Sequence, residues 1–349
     1  MGNLYLDGKP GRTCTIDGRE FLFFSGYNYL GINEDAEFNG LVAAGAAKYG
    51  WVFPSSRISN TRLGIFEECE ALLSSITNTE DTVLLPSGYA AGRMATSYFK
   101  TTVHNAPGSH PAILQHRSGS IDFGEWKEWL INAYVPQEKA DPLVLASDSV
   151  SPLTASANDF SFLGRLPRAT VVVIDDSHGI GILGENGKGV SSALPVTPDI
   201  EYMLTYSLAK AFGISGGAVS CSSGRARFFR SLPEYTSVTP VSPAQVYAFI
   251  NGQHIYQRQR EKLISNMAYF KSCIKGLKGI SFVDGFPVFI LPAAIHETDF
   301  YRQGILVSSF SYPDPAGQKL NRIVINALHT KNDLDRLADA MRAISPFCS

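Results

Sequence analysis

The sequence predicts an α/β fold: a mostly parallel central sheet flanked by helices, followed by a smaller α+β domain. Three observations point there. Short apolar runs recur at residues 82–85, 112–115, 143–146, 170–174 and 203–206, and such runs are the signature of strands buried on both faces. Helical or irregular segments separate them, the alternation expected of crossover units. The chain has 349 residues, 44% of them hydrophobic and 18% charged, enough for a sizeable core.

Each element has a local reason. Residues 13–16 and 20–24 are β-rich and flank Asp17-Gly18, which reads as a hairpin. Ile65, Cys69, Leu72, Leu73 and Ile76 recur at helical spacing, so 62–77 reads as an amphipathic helix. Strand 82–85 is broken by Pro86-Ser87-Gly88, with a helix to follow. A long helical stretch spans 244–277 and breaks near Gly252. Strand candidates 280–283, 288–291 and 322–326 then precede a final helix over 331–344, capped by Thr330 or Asn332. The expected organisation is an N-terminal arm (1–40), a large domain (41–240) and a small C-terminal domain (241–349).

The net charge of −2 argues against nucleic acid or an anionic membrane surface as the main partner. The five cysteines are scattered without a C-x-x-C, which favours reduced thiols in a cytoplasmic protein. No stretch approaches the roughly 18 apolar residues of a membrane helix, so no membrane insertion is expected, and the first residues lack the basic and apolar regions of a signal peptide.

Two segments carry chemistry. Ile174-Asp175-Asp176-Ser177-His178-Gly179 puts a carboxylate and an imidazole at the C-terminal end of a strand, where open α/β sheets keep their ligands. Ser207-Leu208-Ala209-Lys210-Ala211-Phe212-Gly213 sets one lysine among small residues after an apolar strand, where partial desolvation makes its amine a usable nucleophile. An Asp for a pyridinium nitrogen and a Lys for a Schiff base are the two groups that pyridoxal 5′-phosphate (PLP) chemistry needs most. Adjacent Asp175 and Asp176 point to opposite faces of a strand, so only one addresses a site. The Ser87-Gly88-Tyr89 turn could bind phosphate at a helix N-terminus or be a plain strand-to-helix turn. Ser207 could donate to a phosphate or satisfy a local turn, and His116 could stack on a ring or cap a strand. The G-x-G-x-x-G at 179–184 is followed by a turn-rich segment, so it reads as a loop and not as a dinucleotide fingerprint.

In this order the motifs resemble the α-oxoamine synthases, PLP enzymes of fold type I. Tyr27-Asn28-Tyr29-Leu30-Gly31 is similar to the family's N-D-Y-L-G, and Ser87-Gly88-Tyr89-Ala90-Ala91 to its S-G-F-x-A phosphate turn. The run from Asp175 to Gly189 is similar to D-D-A-H-G-x-G-x-x-G-x-x-G-R-G, Ser207 to Gly213 to T-x-x-K-x-x-G, and Ala327-Leu328-His329-Thr330 to a closing A-x-H-T.

The resemblance implies that Lys210 holds PLP covalently and shuttles the substrate proton. It implies that Asp175 pairs with the pyridinium, that His178 bonds the ring oxygen and that His116 stacks on the ring. Ser87, Gly88, Tyr89 and Ser207 would bind phosphate, Thr239 would reach a neighbouring subunit's phosphate, and Arg322 with Asn28 would hold the amino acid. The implied reaction condenses a small amino acid with an acyl-CoA or other acyl thioester, with decarboxylation, in a homodimer whose sites lie at the subunit interface. Rival readings are an aminotransferase or another carbon–carbon enzyme using PLP, or a noncatalytic partner subunit. Departures fall on the acyl side: Pro152 and Thr154 replace the serine and acidic residue of the family's D-G-V-F-S-M-D-G, and Phe66 stands where a histidine is common.

Overall fold

The computed structural model describes residues 4–115, 122–132, 142–151, 153–166, 169–311, 317 and 319–344. The chain divides into two compact units, residues 37–151 with 157–253, and residues 1–36 and 254–349 with 152–156.

The N-terminal hairpin of the smaller unit pairs β1 (Thr13–Ile16) with β2 (Arg19–Phe24), Ile16 facing Arg19. Asp17 and Gly18 both take positive φ, 50° and 72°, the two-residue turn whose twist matches that of the strands.

The larger unit then contributes, in chain order, α1 (Ala36–Tyr49), α2 (Ile65–Thr77), β3 (Asp81–Leu85), α3 (Gly88–Ser97), β4 (Val103–Asn105), α4 (Phe123–Asn132), β5 (Leu143–Asp148), β6 (Thr170–Asp175), β7 (Ile200–Ser207), β8 (Gly217–Cys221), α5 (Ser223–Arg230) and α6 (Pro243–Asn251). Its six-stranded sheet has the order β3-β8-β7-β6-β5-β4. β4, β5, β6 and β7 run parallel, and β8 lies antiparallel between β7 and β3. Buried Val83, Val144, Val171, Val173, Met203 and Val219 share one core with Ala91, Met94 and Phe229.

The run 112–115 is not a strand. The ladder ends at Asn105, whose side-chain amide donates to the Ile113 carbonyl (2.9 Å) and accepts from Gln115 N–H (3.1 Å). Asn105 thus satisfies the backbone of a buried loop, and Ile113 fills the core without joining the sheet. A strand missing from the expectation is β8.

The long helical stretch divides as read. α6 ends at Gly252, whose N–H donates to Ala248 O at 2.9 Å, and α7 (Gln253–Cys273) follows. The smaller unit continues with β9 (Ser281–Phe282), β10 (Val288–Ile290), β11 (Ile305–Ser311), β12 (Lys319–Val324) and α8 (Lys331–Arg342). Its sheet has the order β1-β2-β11-β12-β10-β9, with β2 parallel to β11. Thr330 caps α8 in a reciprocal box with Asp333.

Among the described residues no helix is long and apolar enough to cross a membrane, and no His/Cys/Asp/Glu group could hold a metal ion. Cys14, Cys69, Cys221 and Cys273 form no disulfide; Cys348 lies outside the described residues.

Candidate active site

β5 and β6 are parallel and in register to their last residues, so Asp148 and Asp175 end side by side. Burial, and then the neighbouring Asp175 carboxylate, hold the Asp148 carboxyl well above the ordinary range. Two carboxylates at one strand edge cannot both ionise cheaply. Asp148 Oδ2 accepts from His110 N–H at 2.9 Å. His110 Nδ1 accepts from Ala112 N–H at 3.2 Å and lies 3.9 Å from Asp175 Oδ2. Burial pushes the His110 imidazole down, Asp175 opposes that, and the Lys210 charge adds to it.

Asp175 is 5% exposed, and its Oδ1 accepts from Ser177 N–H at 3.0 Å. Ser177 Oγ in turn accepts from Ser207 N–H at 2.9 Å, tying the β6 end to the β7 end. Beyond these strand ends the Lys210 Nζ and His178 Nε2 meet at 2.7 Å. Whichever nitrogen donates, the other must present a lone pair, so both cannot be fully protonated in this contact. The Lys210 loop is closed by Leu208 N–H to Gly216 O (3.0 Å) and Ile214 N–H to Leu208 O (3.2 Å), and Gln245 accepts from Ser215 N–H at 2.9 Å.

Asp176 turns the other way, as strand alternation requires. It is 1% exposed and accepts from Ser149 Oγ (2.5 Å) and Val190 N–H (2.9 Å). Burial pushes its carboxyl up to about 7, against those two hydrogen bonds. The glycine-rich loop wraps it: a Cβ on Gly189 (φ +68°) would lie 1.9 Å from Asp176 Oδ2. The G-x-G-x-x-G therefore opens no α-helix; 3₁₀ turns at Glu185–Gly187 and Gly189–Ala193 follow it.

α3 starts where a phosphate would need it. Ser87 is its N-cap and accepts from Ala90 N–H at 3.1 Å. A Cβ on Gly88 would lie 2.7 Å from Ser207 Cβ, and one on Gly217 would lie 2.4 Å from Gly88 N. Only glycines let the α3 N-terminus come this close to the β7 end. Tyr89 is exposed on the first turn of α3, and Thr239 is exposed in the loop before α6.

In the smaller unit, Arg322 on β12 is 1% exposed, with its guanidinium carbon 4.8 Å from the Tyr27 ring centroid and 4.7 Å from that of Phe310. Its Nη2 donates to the Tyr27 hydroxyl. Both amide atoms of Asn28 are buried without a hydrogen-bond partner among the described residues.

The structure thus gathers Ser87, Gly88 and Ser207 at one helix terminus and Asp175, His178 and Lys210 at the strand ends, all within the larger unit. His116 lies outside the described residues. The histidine found beside Asp175 is His110, which the sequence reading missed, as it missed Asp148. A signal was available: Leu143–Asp148 and Thr170–Asp175 are matched apolar runs, each ending in Asp. Phe66, by contrast, is a core residue at 1% exposure against Phe53 and Arg57.

These residues fit PLP. A helix N-terminus with a serine hydroxyl suits a phosphate, a buried carboxylate suits a pyridinium nitrogen, and a primary amine suits an aldehyde. The fold and this donor set define a PLP-dependent transferase of fold type I. Residues 151–341 match the family model for aminotransferase class I and II, and the chain belongs to that family. It is 28% identical to the biotin biosynthesis bifunctional protein BioWF of Corynebacterium kroppenstedtii over 98% of its length, spanning 56% of that protein. It is 26% identical to the 8-amino-7-oxononanoate synthase of Buchnera aphidicola, over 95% of this chain and 90% of that one. A serine palmitoyltransferase variant of S. paucimobilis with a bound PLP–myriocin aldimine superposes with a TM-score of 0.82 at 19% identity, over 98% and 92% of the two chains. The resemblance to the α-oxoamine synthases holds, and the cofactor is PLP.

Proposed function

We propose that this chain is an acyltransferase similar to 8-amino-7-oxononanoate synthase. It would condense a small amino acid with an acyl-CoA, releasing CoA and carbon dioxide and leaving an α-oxoamine. The observation that carries this reading is the Lys210–His178 contact of 2.7 Å beyond the Asp175 strand end, joined to relatives that bear that name.

Each residue has a task. Lys210 Nζ would be the amine that holds the PLP aldehyde and, when free, the base that takes the α-proton. Bound PLP supplies an electron sink for the charge left at the α-carbon. Asp175 holds a proton on the ring nitrogen, and Asp148 ends beside it on β5. His178 keeps a lone pair or a proton on Lys210 Nζ as required, and His110 packs beside Asp175. Ser87, Gly88, Tyr89 and Ser207 bind phosphate, and Thr239 reaches that of a second subunit in a cytoplasmic homodimer. Arg322 and Asn28 hold the amino-acid carboxylate, a task suited to a planar two-donor cation.

A second reading, aminotransfer, draws on the altered acyl-side segment, where Thr154 Oγ1 bonds Ser156 Oγ at 2.6 Å in place of an acidic residue. One assay separates the two. PLP-loaded protein is mixed with glycine, alanine or serine and a panel of acyl-CoAs, and free thiol and keto acid are followed. Amino-acid-dependent thiol release supports acyl transfer; keto acid without thiol release selects aminotransfer.

A further inference from the structure

We propose that Asp176, the carboxyl that turns away from Asp175, is a positioning residue for Lys210: it pins the glycine-rich loop that sets the His178–Lys210 contact. This rests on the reading of Lys210 as the anchoring amine given above, and it gives the G-x-G-x-x-G run a task.

Both ends of the loop meet on this one residue. The Asp176 main-chain oxygen accepts from Gly179 N–H and Ile180 N–H, each at 2.9 Å, which closes the turn that carries His178. The Asp176 side chain takes the other end, through Val190 N–H at 2.9 Å. Its main-chain N–H donates to Thr205 O at 2.8 Å, fixing it to β7. Ser149 ties in β5: its Oγ donates to Asp176 Oδ1 at 2.5 Å and its N–H to Asp175 O at 2.9 Å. Gly181 N–H to Gly187 O (2.7 Å) and Gly189 N–H to Leu183 O (2.9 Å) hold the loop against itself.

The glycines bring this loop against both Asp176 and the Lys210 segment. A Cβ on Gly179 would lie 2.1 Å from Asp176 Oδ1, so the turn packs directly on the carboxyl. A Cβ on Gly181 (φ +79°) would lie 2.8 Å from Ala211 Cβ and 3.2 Å from Phe212 Cε1, the two residues that follow Lys210. His178 belongs to the first turn of the same loop and meets Lys210 Nζ at 2.7 Å. A carboxyl at 1% exposure loses much by leaving its donors, so it resists movement of the loop. Bonding of Lys210 Nζ to an aldehyde carbon, with loss of water, depends steeply on where that amine is held.

The test is calorimetric titration of the full chain, freed of cofactor, with two ligands. PLP has the aldehyde that bonds Lys210; pyridoxamine 5′-phosphate has the same ring and phosphate and no aldehyde. Asp176→Ala removes both side-chain bonds, and should weaken PLP about tenfold and pyridoxamine phosphate by less than about twofold. Ser149→Ala removes one donor and should weaken PLP about threefold, with pyridoxamine phosphate again within about twofold; it decides the matter if Asp176→Ala does not fold. Asp176→Asn should bind PLP as the parent does, because its oxygen can accept from Val190 N–H while its amide donates to Ser149 Oγ. Equal weakening of both ligands in Asp176→Ala or Ser149→Ala would overturn the proposal, because a merely structural role does not distinguish them. Unchanged PLP binding in those variants would overturn it, as would a loss in Asp176→Asn equal to that in Asp176→Ala. Lys210→Ala should lose the preference for PLP over pyridoxamine phosphate; should it keep that preference, the reading of Lys210 falls and takes this proposal with it.

Discussion

The strand ends of the larger unit and the Arg322 face of the smaller unit hold their charges in different ways. At the strand ends three side chains are each held by a backbone N–H: Asp175 by that of Ser177, Asp148 by that of His110, His110 by that of Ala112. Arg322 is held by aromatic faces and by the Tyr27 hydroxyl. A network fixed through backbone turns leaves little room for substitution, and there the sequence keeps Asp175, His178 and Lys210 of the family pattern. A cation held by side chains can change its neighbours, and there the pattern departs, at Tyr27.

This contrast can be broken at the strand ends first. Lys210→Ala should lower turnover by roughly three orders of magnitude or more and remove the visible band of the lysine-linked cofactor. Asp175→Asn should lower turnover roughly 10²- to 10³-fold while the protein still unfolds cooperatively. Steady-state kinetics and the visible spectrum check both.

His329 sharpens the comparison from the other side, as a buried group in the smaller unit. Its Nδ1 accepts from Asn326 N–H and its Nε2 lies 3.1 Å from Phe23 O, the pattern of a neutral ring with its proton on Nε2. Burial pushes it down to about 4 from 6.5, so between those values the unfolded chain binds the extra proton. Its contribution is therefore full above about pH 6.5 and is lost as pH falls towards 4, by roughly 3 kcal/mol. Asp176 works in the opposite sense, since its raised carboxyl favours the folded state at low pH and loses that contribution as pH rises towards about 7. The measurement is therefore a difference: denaturant unfolding of the parent and His329→Asn at pH 7 and pH 4.5, with the gap narrowing at the lower pH.

The smallest effect expected is on the loop that braces Asp176. Gly189→Ala should cost about 2 kcal/mol in denaturant unfolding, because its φ is +68° and its Cβ would meet Asp176 Oδ2 at 1.9 Å. An unchanged midpoint would mean that this loop is not held by Asp176.

Much of this was legible in the sequence where local physics decides. The Asp17-Gly18 hairpin, the break at Gly252, the Thr330 cap and the β6 strand with its terminal Asp175 follow from turn chemistry, capping and apolar patterning. β8 was not legible: Gly217, Ala218, Ser220 and Cys221 have weak strand preference, and Gly217 is there because a side chain would strike Gly88. Ile113 looked like strand because apolar patterning does not show that the Asn105 side-chain amide takes its carbonyl. His110 had no periodic signal in its Pro107-Gly108-Ser109 turn; only the parallel register of β5 and β6 brings Asp148 and Asp175 to it.

The most direct test of the site is to trap the cofactor where it sits. PLP-loaded protein is reduced with borohydride, digested and sequenced by mass spectrometry. A phosphopyridoxyl adduct on Lys210, lost when the protein is first treated with an excess of its amino acid, is the expected result. An adduct on a different lysine, or none, would contradict the assignment of Lys210 as the anchoring amine.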